Sequence, residues 1–190
     1  MPQPHIKCGV ECGDENEEPD ILTSLRTAEV LYAKWTEIDF NGKMWTIPAT
    51  RGNEPGMKKK REHRVPLSAR CVEILQEAKE LSEGDYIFPG GKTCRPLSDM
   101  AMNMAKRRMD WKGSDCDVHG FRSSFRDWAA EKTKFPREVV EAALAHKVES
   151  KTEASYFRSD LFEKRRELMK AWAAYAISTP AAKVVSIRSR

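Results

Sequence analysis

Between Ile38 and Leu67 the chain reads IDFNGKMWTIPATRGNEPGMKKKREHRVPL, and this stretch decides the fold class. Ile38–Phe40, Met44–Ala49 and His63–Leu67 are short runs favouring extended backbone and bounded by turn formers, which predicts three strands. Asn41-Gly42 between the first two predicts a hairpin turn, since both residues tolerate a left-handed backbone. A long polar loop, Thr50–Glu62, with Pro55-Gly56 inside it, separates the second strand from the third.

On both sides the pattern turns helical. Upstream, Leu22, Leu25, Ala28, Val30, Ala33 and Trp35 suit helical packing from Ile21 to about Trp35. A break is expected near Arg26 and Thr27, with Thr27 placed to cap a new helix. Downstream, Ser68 predicts the cap of a helix to about Leu81, Tyr86–Pro89 a short extended piece, and Ser98 the cap of a helix over Asp99–Met109. Further helices are expected from His119 to Glu131, from Pro136 in its first turn to near Ala145, and from Leu161 to Ala176. Ser155–Phe157 falls in the short segment before the last of these. Residues 1–20, rich in Pro, Gly and acids without apolar periodicity, are expected to form a flexible tail. The expected fold class is α+β, mostly helical, with one small three-stranded antiparallel sheet. It occupies one domain over residues 21–190, with a flexible end after the last helix.

Bulk properties narrow the function. The chain has 190 residues, 40% hydrophobic and 33% charged, which fits one water-soluble domain. No apolar run approaches the roughly 20 residues that span a bilayer. Met1–Val10 lack the apolar core of a secretory signal, so a cytoplasmic protein without membrane partners is expected. Cys8, Cys12, Cys71, Cys94 and Cys116 show neither disulfide nor zinc-finger spacing and read as reduced thiols, His5 notwithstanding. A net charge of +4 and a pI near 8.8 are compatible with a nucleic-acid partner without arguing for one unaided. The distribution says more. Asp14, Glu15, Glu17, Glu18 and Asp20 form an acidic lead-in, whereas Lys58, Lys59, Lys60, Arg61 and Arg64 form a basic stretch suited to a phosphate backbone.

Several residue pairs carry chemistry only in company. His119 and Arg122 stand at i and i+3, so one helix face can offer a proton acceptor and a bidentate clamp to a phosphate. Alone, HxxR also reads as two polar residues at a helix N-terminus. His146 ends an apolar run and can simply close a helix by satisfying its last carbonyls. Arg26 and Glu29 form a plain i, i+3 pair, and a lone tyrosine such as Tyr156 is most often a half-buried packing residue.

Their order changes the weighing. LRTAEV (25–30), AKWTEID (33–39), WTIPA (45–49), HRVPLS (63–68), VHGFRSSFRDWAAE (118–131), PREVVEAALAH (136–146) and YFRSDLFEKRRELMKAWAAY (156–175) together resemble the tyrosine recombinase, or phage integrase, family. The resemblance is to the catalytic domain of prophage and genomic-island integrases, from about Ile21 to Tyr175. It implies a tyrosine-recombinase catalytic core that breaks and rejoins DNA through a 3′-phosphotyrosyl link, without cofactor or metal. It makes Arg26 and Arg122 the phosphate-binding arginines, His119 the histidine of the HxxR pair and His146 the second histidine. Lys58 becomes the strand-loop lysine, although extra residues around Gly52–Gly56 leave Lys59 and Lys60 open. Tyr156 becomes the nucleophile.

Implied partners are double-stranded DNA, further copies of the chain in a tetramer on two duplexes, and accessory DNA-bending proteins. The last helix docks either on its own domain or on a neighbouring protomer. Family members carry a separate helical DNA-binding domain ahead of this one, and nothing of that size precedes Ile21. An active catalytic domain is therefore expected, with a non-catalytic DNA-binding remnant, its Arg26 segment disordered, as the alternative. A helical regulatory module of another class would require Arg26, Arg122 and Tyr156 not to converge.

Overall fold

The computed structural model describes residues 18–82, 84–90, 95–98, 100, 104, 120–146 and 160–178. Helix α1 spans Glu18–Thr23 and α2 spans Thr27–Leu31. α1 therefore takes in the last three residues, Glu18–Asp20, of the segment expected to be tail. Between the helices, Arg26 rather than Thr27 holds the N-cap position, and its backbone N–H donates to the Glu29 carboxylate at 3.0 Å. The expected helix does not continue to Trp35. Instead the Ile87 N–H donates to the Ala33 carbonyl and the Trp35 N–H to the Asp85 carbonyl, each at 3.0 Å. Backbone groups that pair with the extended Tyr86 segment are lost to a helix, and only a single 3₁₀ turn, Trp35–Glu37, follows.

Strands β1 (Ile38–Asp39), β2 (Met44–Ile47) and β3 (His63–Pro66) form an antiparallel sheet in the order β1-β2-β3. β2 stops before Pro48, which has no N–H for a ladder. In the register, Trp45 faces Val65 and Ile47 faces His63, so one face of the sheet is apolar and buried. The Asn41-Gly42 turn is present, but the left-handed residue is Lys43, at φ 48°. The exposed Asp39 carboxylate folds back over the turn and accepts the Gly42 N–H at 2.9 Å.

After the sheet, Ser68 caps α3 (Ala69–Leu81) by accepting the Cys71 N–H at 3.3 Å, as its position predicts. Met100 and Met104 are helical, but the rest of the expected Asp99–Met109 helix lies outside the described residues. Next come α4 (Gly120–Lys132), α5 (Arg137–Ala143) and α6 (Phe162–Ile177). Pro136 sits at the N-cap of α5 with extended ψ of 142°, one residue outside the first turn where it was expected.

Two apolar clusters result. The first gathers Leu22, Leu25, Val30, Leu31, the inner sheet face, Ile74, Leu75, Ile87 and Ala173. The second gathers Phe125, Trp128, Val139, Val140, Leu144, Leu168, Met169 and Trp172. α6 contributes to both, so it docks on its own chain. Trp172 stands in the second cluster with its ring centroid 5.3 Å from Phe125 and 5.1 Å from Trp128, and its Nε1–H donates to the Ile21 carbonyl at 2.7 Å. One turn back from Leu168, Arg165 is 2% exposed and donates to the Arg64 carbonyl at 2.5 Å and the Asp160 carboxylate at 2.9 Å.

Trp172→Ala removes a buried ring and orphans the Ile21 carbonyl together. It should lower unfolding free energy by about 3–5 kcal/mol, measured by urea denaturation; a loss below about 1 kcal/mol would mean that α6 is not an integral part of the fold.

Candidate active site

The centre of the site is built by two left-handed turns. Ser24, at φ 52°, ends α1 and turns its carbonyl toward α4. Ala145, also at φ 52°, closes α5. Its N–H donates to the Ala142 carbonyl at 3.1 Å, and the next N–H, of His146, donates to the Glu141 carbonyl at 2.9 Å. This pair of bonds is a Schellman closure, which satisfies the last carbonyls of the helix and brings the residue after the turn back over it. The Leu144 carbonyl is left pointing at Arg122.

Arg122 joins the two turns. It shares one face of α4 with Phe125 and Ala129, at three- and seven-residue spacing, and is itself buried. Nη1–H donates to the Ser24 carbonyl in a short hydrogen bond, and Nη2–H donates to the Leu144 carbonyl at 2.9 Å. The same Nη2 lies 3.5 Å from His146 Nε2, the outer limit of a hydrogen bond. The reading of Arg122 as a surface residue at a helix end is thereby excluded. His146 closes its helix through its backbone, while its ring turns to the site: Nδ1 sits 2.6 Å from the Glu141 carboxylate.

Arg26 follows Ser24 by two residues, at the mouth of the same turn. Its Nη1–H donates to Glu29 at 2.9 Å, and Glu29 is 2% exposed, so this is no ordinary surface pair. The Arg26 segment is held by these bonds and by buried Leu25, contrary to the disorder that a decayed remnant would entail. Arg26 and Arg122 act electrostatically on one common neighbour, His63 of β3. Burial first, then the positive charges of Arg165, Arg122 and Arg26, lower its pKa from 6.5 to about 4. Its Nε2–H donates to the Ala143 carbonyl at 3.2 Å, so it is a neutral strut between sheet and α5.

Lys58 stands apart. It is exposed, and among the described residues no hydrogen bond or ion pair joins it to Arg26, Arg122 or His146. Its loop is nevertheless rigidly founded. Arg51 donates from Nε and Nη2 to Glu37 at 2.7 Å each, from Nη2 to the Glu29 carbonyl at 3.1 Å and from Nη1 to the Pro55 carbonyl at 2.9 Å. Glu37 also accepts the Trp45 indole N–H at 3.0 Å. Glu54 accepts from Tyr86 in a short hydrogen bond and pairs with Lys34 at 2.8 Å, contacts that hold its carboxyl below its ordinary pKa. Arg51 is thus a brace between α2 and the lysine loop. Lys59 and Lys60 are exposed beside Lys58. Arg64, expected to face phosphates, is instead committed to Asp160, at 2.9 and 2.6 Å. Burial pushes the Asp160 carboxyl up, but the Arg64 hydrogen bond and the charges of Arg165 and Arg64 prevail and hold it low. His119 and Tyr156 lie outside the described residues.

A buried guanidinium with a histidine edge against it, and the Arg26 turn bonded to it through the Ser24 carbonyl, are groups suited to an oxyanion. Residues 21–161 match the phage integrase family, and the chain belongs to that family. It is 41% identical over 155 residues to the prophage integrase IntA of Escherichia coli (strain K12), covering 80% of this chain and 36% of that protein. To the integrase of Enterobacteria phage P4 it is 34% identical over 167 residues, covering 82% of this chain and 38% of that one. The chain therefore spans well under half the length of these relatives. Among solved structures, the Tn1549 transposon integrase in complex with a circular intermediate DNA aligns with a TM-score of 0.50 at 10% identity. The alignment covers 76% of this chain and 58% of that one, a likeness of fold.

Sequence reasoning passed over Glu141, His63, Glu37 and Arg51. The visible signal for Glu141 was a carboxylate inside the apolar run VVEAALAH; the others show no pattern outside the folded context.

Two outcomes follow. Arg51→Met leaves the Glu37 carboxylate buried without its partner and should cost about 3–5 kcal/mol in urea denaturation. An unchanged midpoint would disprove the brace. For His63 the folded pKa is below the unfolded one, so the unfolded state binds the extra proton as pH falls. Stability should be full above about pH 6.5 and decline by up to about 3 kcal/mol toward pH 4. His63→Gln, which keeps an N–H donor, should flatten that acid limb of a Tm-against-pH curve; an unaltered limb would show that other groups produce it.

Proposed function

We propose that this chain is the catalytic part of a site-specific recombinase that cuts and rejoins double-stranded DNA through Tyr156. The reading rests above all on the Arg122 guanidinium, which gathers the Ser24–Arg26 turn, the end of α5 and His146 at one point. With the helix of Arg122 itself, they bring together three of the sequence-distant motifs that carry the resemblance.

In this mechanism the Tyr156 phenol oxygen attacks the scissile phosphorus. Its proton passes to His119, the P–O5′ bond breaks, and the leaving 5′ oxygen takes a proton from Lys58. The product is a 3′-phosphotyrosine and a 5′-hydroxyl. Because the phosphodiester energy is retained in the tyrosyl link, attack by a 5′-hydroxyl reverses the step without ATP. Arg26 and Arg122 neutralise charge growing on the non-bridging oxygens, the task that Mg²⁺ performs in many phosphoryl transfers. His146 hydrogen-bonds the same phosphate. A free tyrosine with a pKa of about 10 needs this cationic setting to react at neutral pH. The basic loop around Lys58 contributes contacts to the phosphate backbone, which position the duplex without reading its sequence.

Residues from Glu18 onward, where α1 begins, form the catalytic domain in this reading. The working form is a tetramer on two duplexes in the cytoplasm, aided by DNA-bending proteins. Among the described residues, no helix is long and apolar enough to cross a membrane.

Incubation with nicked duplex suicide substrates should yield a denaturant-resistant protein–DNA adduct that Tyr156→Phe abolishes. Arg122→Lys, which lacks the planar fork, should slow adduct formation by about 10²–10³-fold. An adduct that survives Tyr156→Phe would assign the nucleophile elsewhere, and no adduct from the intact chain would overturn the proposal.

A further inference from the structure

We infer that Glu141 is a positioning residue, which fixes the proton and the orientation of the His146 ring so that its Nε2 edge addresses the oxyanion held by Arg122. The inference rests on the recombinase reading for its function, but its geometry stands independently. In the Schellman closure of α5, Glu141 and His146 occupy the two positions whose side chains meet across the helix end. That contact is commonly apolar. Here it is a carboxylate 2.6 Å from an imidazole Nδ1.

A carboxylate only accepts, so Nδ1 must carry the hydrogen, whatever the charge of the ring. In neutral His146 that leaves a lone pair on Nε2, 3.5 Å from the Arg122 Nη2. When the ring takes a second proton, Nε2 becomes a donor, which suits it to share a phosphate oxygen with Arg122. Without Glu141 the ring is free to rotate and to exchange tautomers, and neither edge is assigned to the site.

Glu141 also has cationic neighbours. Its other oxygen lies 3.0 Å from Arg126 Nη2 and 3.9 Å from Arg137 Nε, ion pairs by distance rather than hydrogen bonds. Arg126 follows Arg122 by one turn of α4, so the groups close a ring: Arg122, His146, Glu141, Arg126 and back along the helix. A chain of this kind transmits orientation. The phosphate-facing histidine cannot swing without breaking the contact to Glu141, and Glu141 cannot swing without leaving Arg126.

The deciding measurement is a two-bond ¹H–¹⁵N NMR spectrum of the histidine side chains in the full chain, with His146→Gln for assignment. Under conditions where the spectrum shows a neutral ring, His146 should be the Nδ1–H tautomer. In Glu141→Ala it should shift toward Nε2–H, and Glu141→Gln, whose amide oxygen still accepts, should restore it. An Nε2–H ring in the unsubstituted chain, or one indifferent to Glu141→Ala, overturns the inference.

Adduct kinetics on suicide substrates supply the second arm. Glu141→Ala should lower the rate by about 10–100-fold, the range seen when other histidines lose an orienting carboxylate, with Glu141→Gln recovering most of it. In a His146→Ala background, Glu141→Ala should have no further effect. Equal losses in both backgrounds would make Glu141 merely structural and overturn the inference. If the unsubstituted chain forms no adduct, the recombinase reading fails, and the NMR spectrum still decides the pairing.

Discussion

Everything in the site depends on one constraint: the guanidinium of Arg122 is buried and cannot give up its hydrogen bonds. A charge out of water is tolerated only where the surrounding groups replace its hydration. Here the backbone does so. The Ser24 and Leu144 carbonyls come from segments far apart in the chain, and each is aimed by a residue in the left-handed region that would otherwise be disfavoured by roughly 1–2 kcal/mol. Backbone strain at Ser24 and Ala145 is thus coupled to a strong charge-assisted contact. The same bonds that keep the arginine stable also hold the Arg26 turn and the His146 turn at a common point.

A second set of buried ions sets the frame around that point. Arg51 with Glu37 ties the sheet to the loop of Lys58, and Arg165, paired with Asp160, donates to the Arg64 carbonyl of β3 and so ties α6 to the sheet. Ion pairs of this kind contribute little net stability compared with apolar packing, because desolvation offsets their attraction. What they add is geometric definition, since only one arrangement satisfies every donor. The apolar clusters supply the driving force, and α6 spans them, with Trp172 and Leu168 in one and Ala173 in the other. Catalysis of phosphoryl transfer by positioned charge demands that division of labour, with burial for stability and directed hydrogen bonds for placement.

Much of this was legible in the sequence. The three strands, the Asn41-Gly42 turn, the Ser68 cap and the courses of α3, α4 and α6 follow from local pattern and turn chemistry. Those signals act within a few residues. The departure came where distant backbone intervened: Ala33 and Trp35 leave the helix because residues 85–87 compete for their hydrogen bonds. The ordered motifs likewise announced the phage integrase family and nominated Arg26, Arg122 and His146.

By itself, then, the sequence determined the kinds of element, the family and the inventory of charged and nucleophilic residues. Spacing along a chain carries that information because helix and strand periodicity are local. Only the tertiary structure decided that Arg122 is buried, that His146 turns its ring between Glu141 and Arg122, that Arg51 is a brace and that α6 packs on its own chain. Each of those depends on carbonyls and carboxylates brought together from up to a hundred or so residues away, as Arg122 with Ser24 and Arg165 with Arg64 are. No local pattern encodes such a meeting, because it is settled by which donors burial leaves without water.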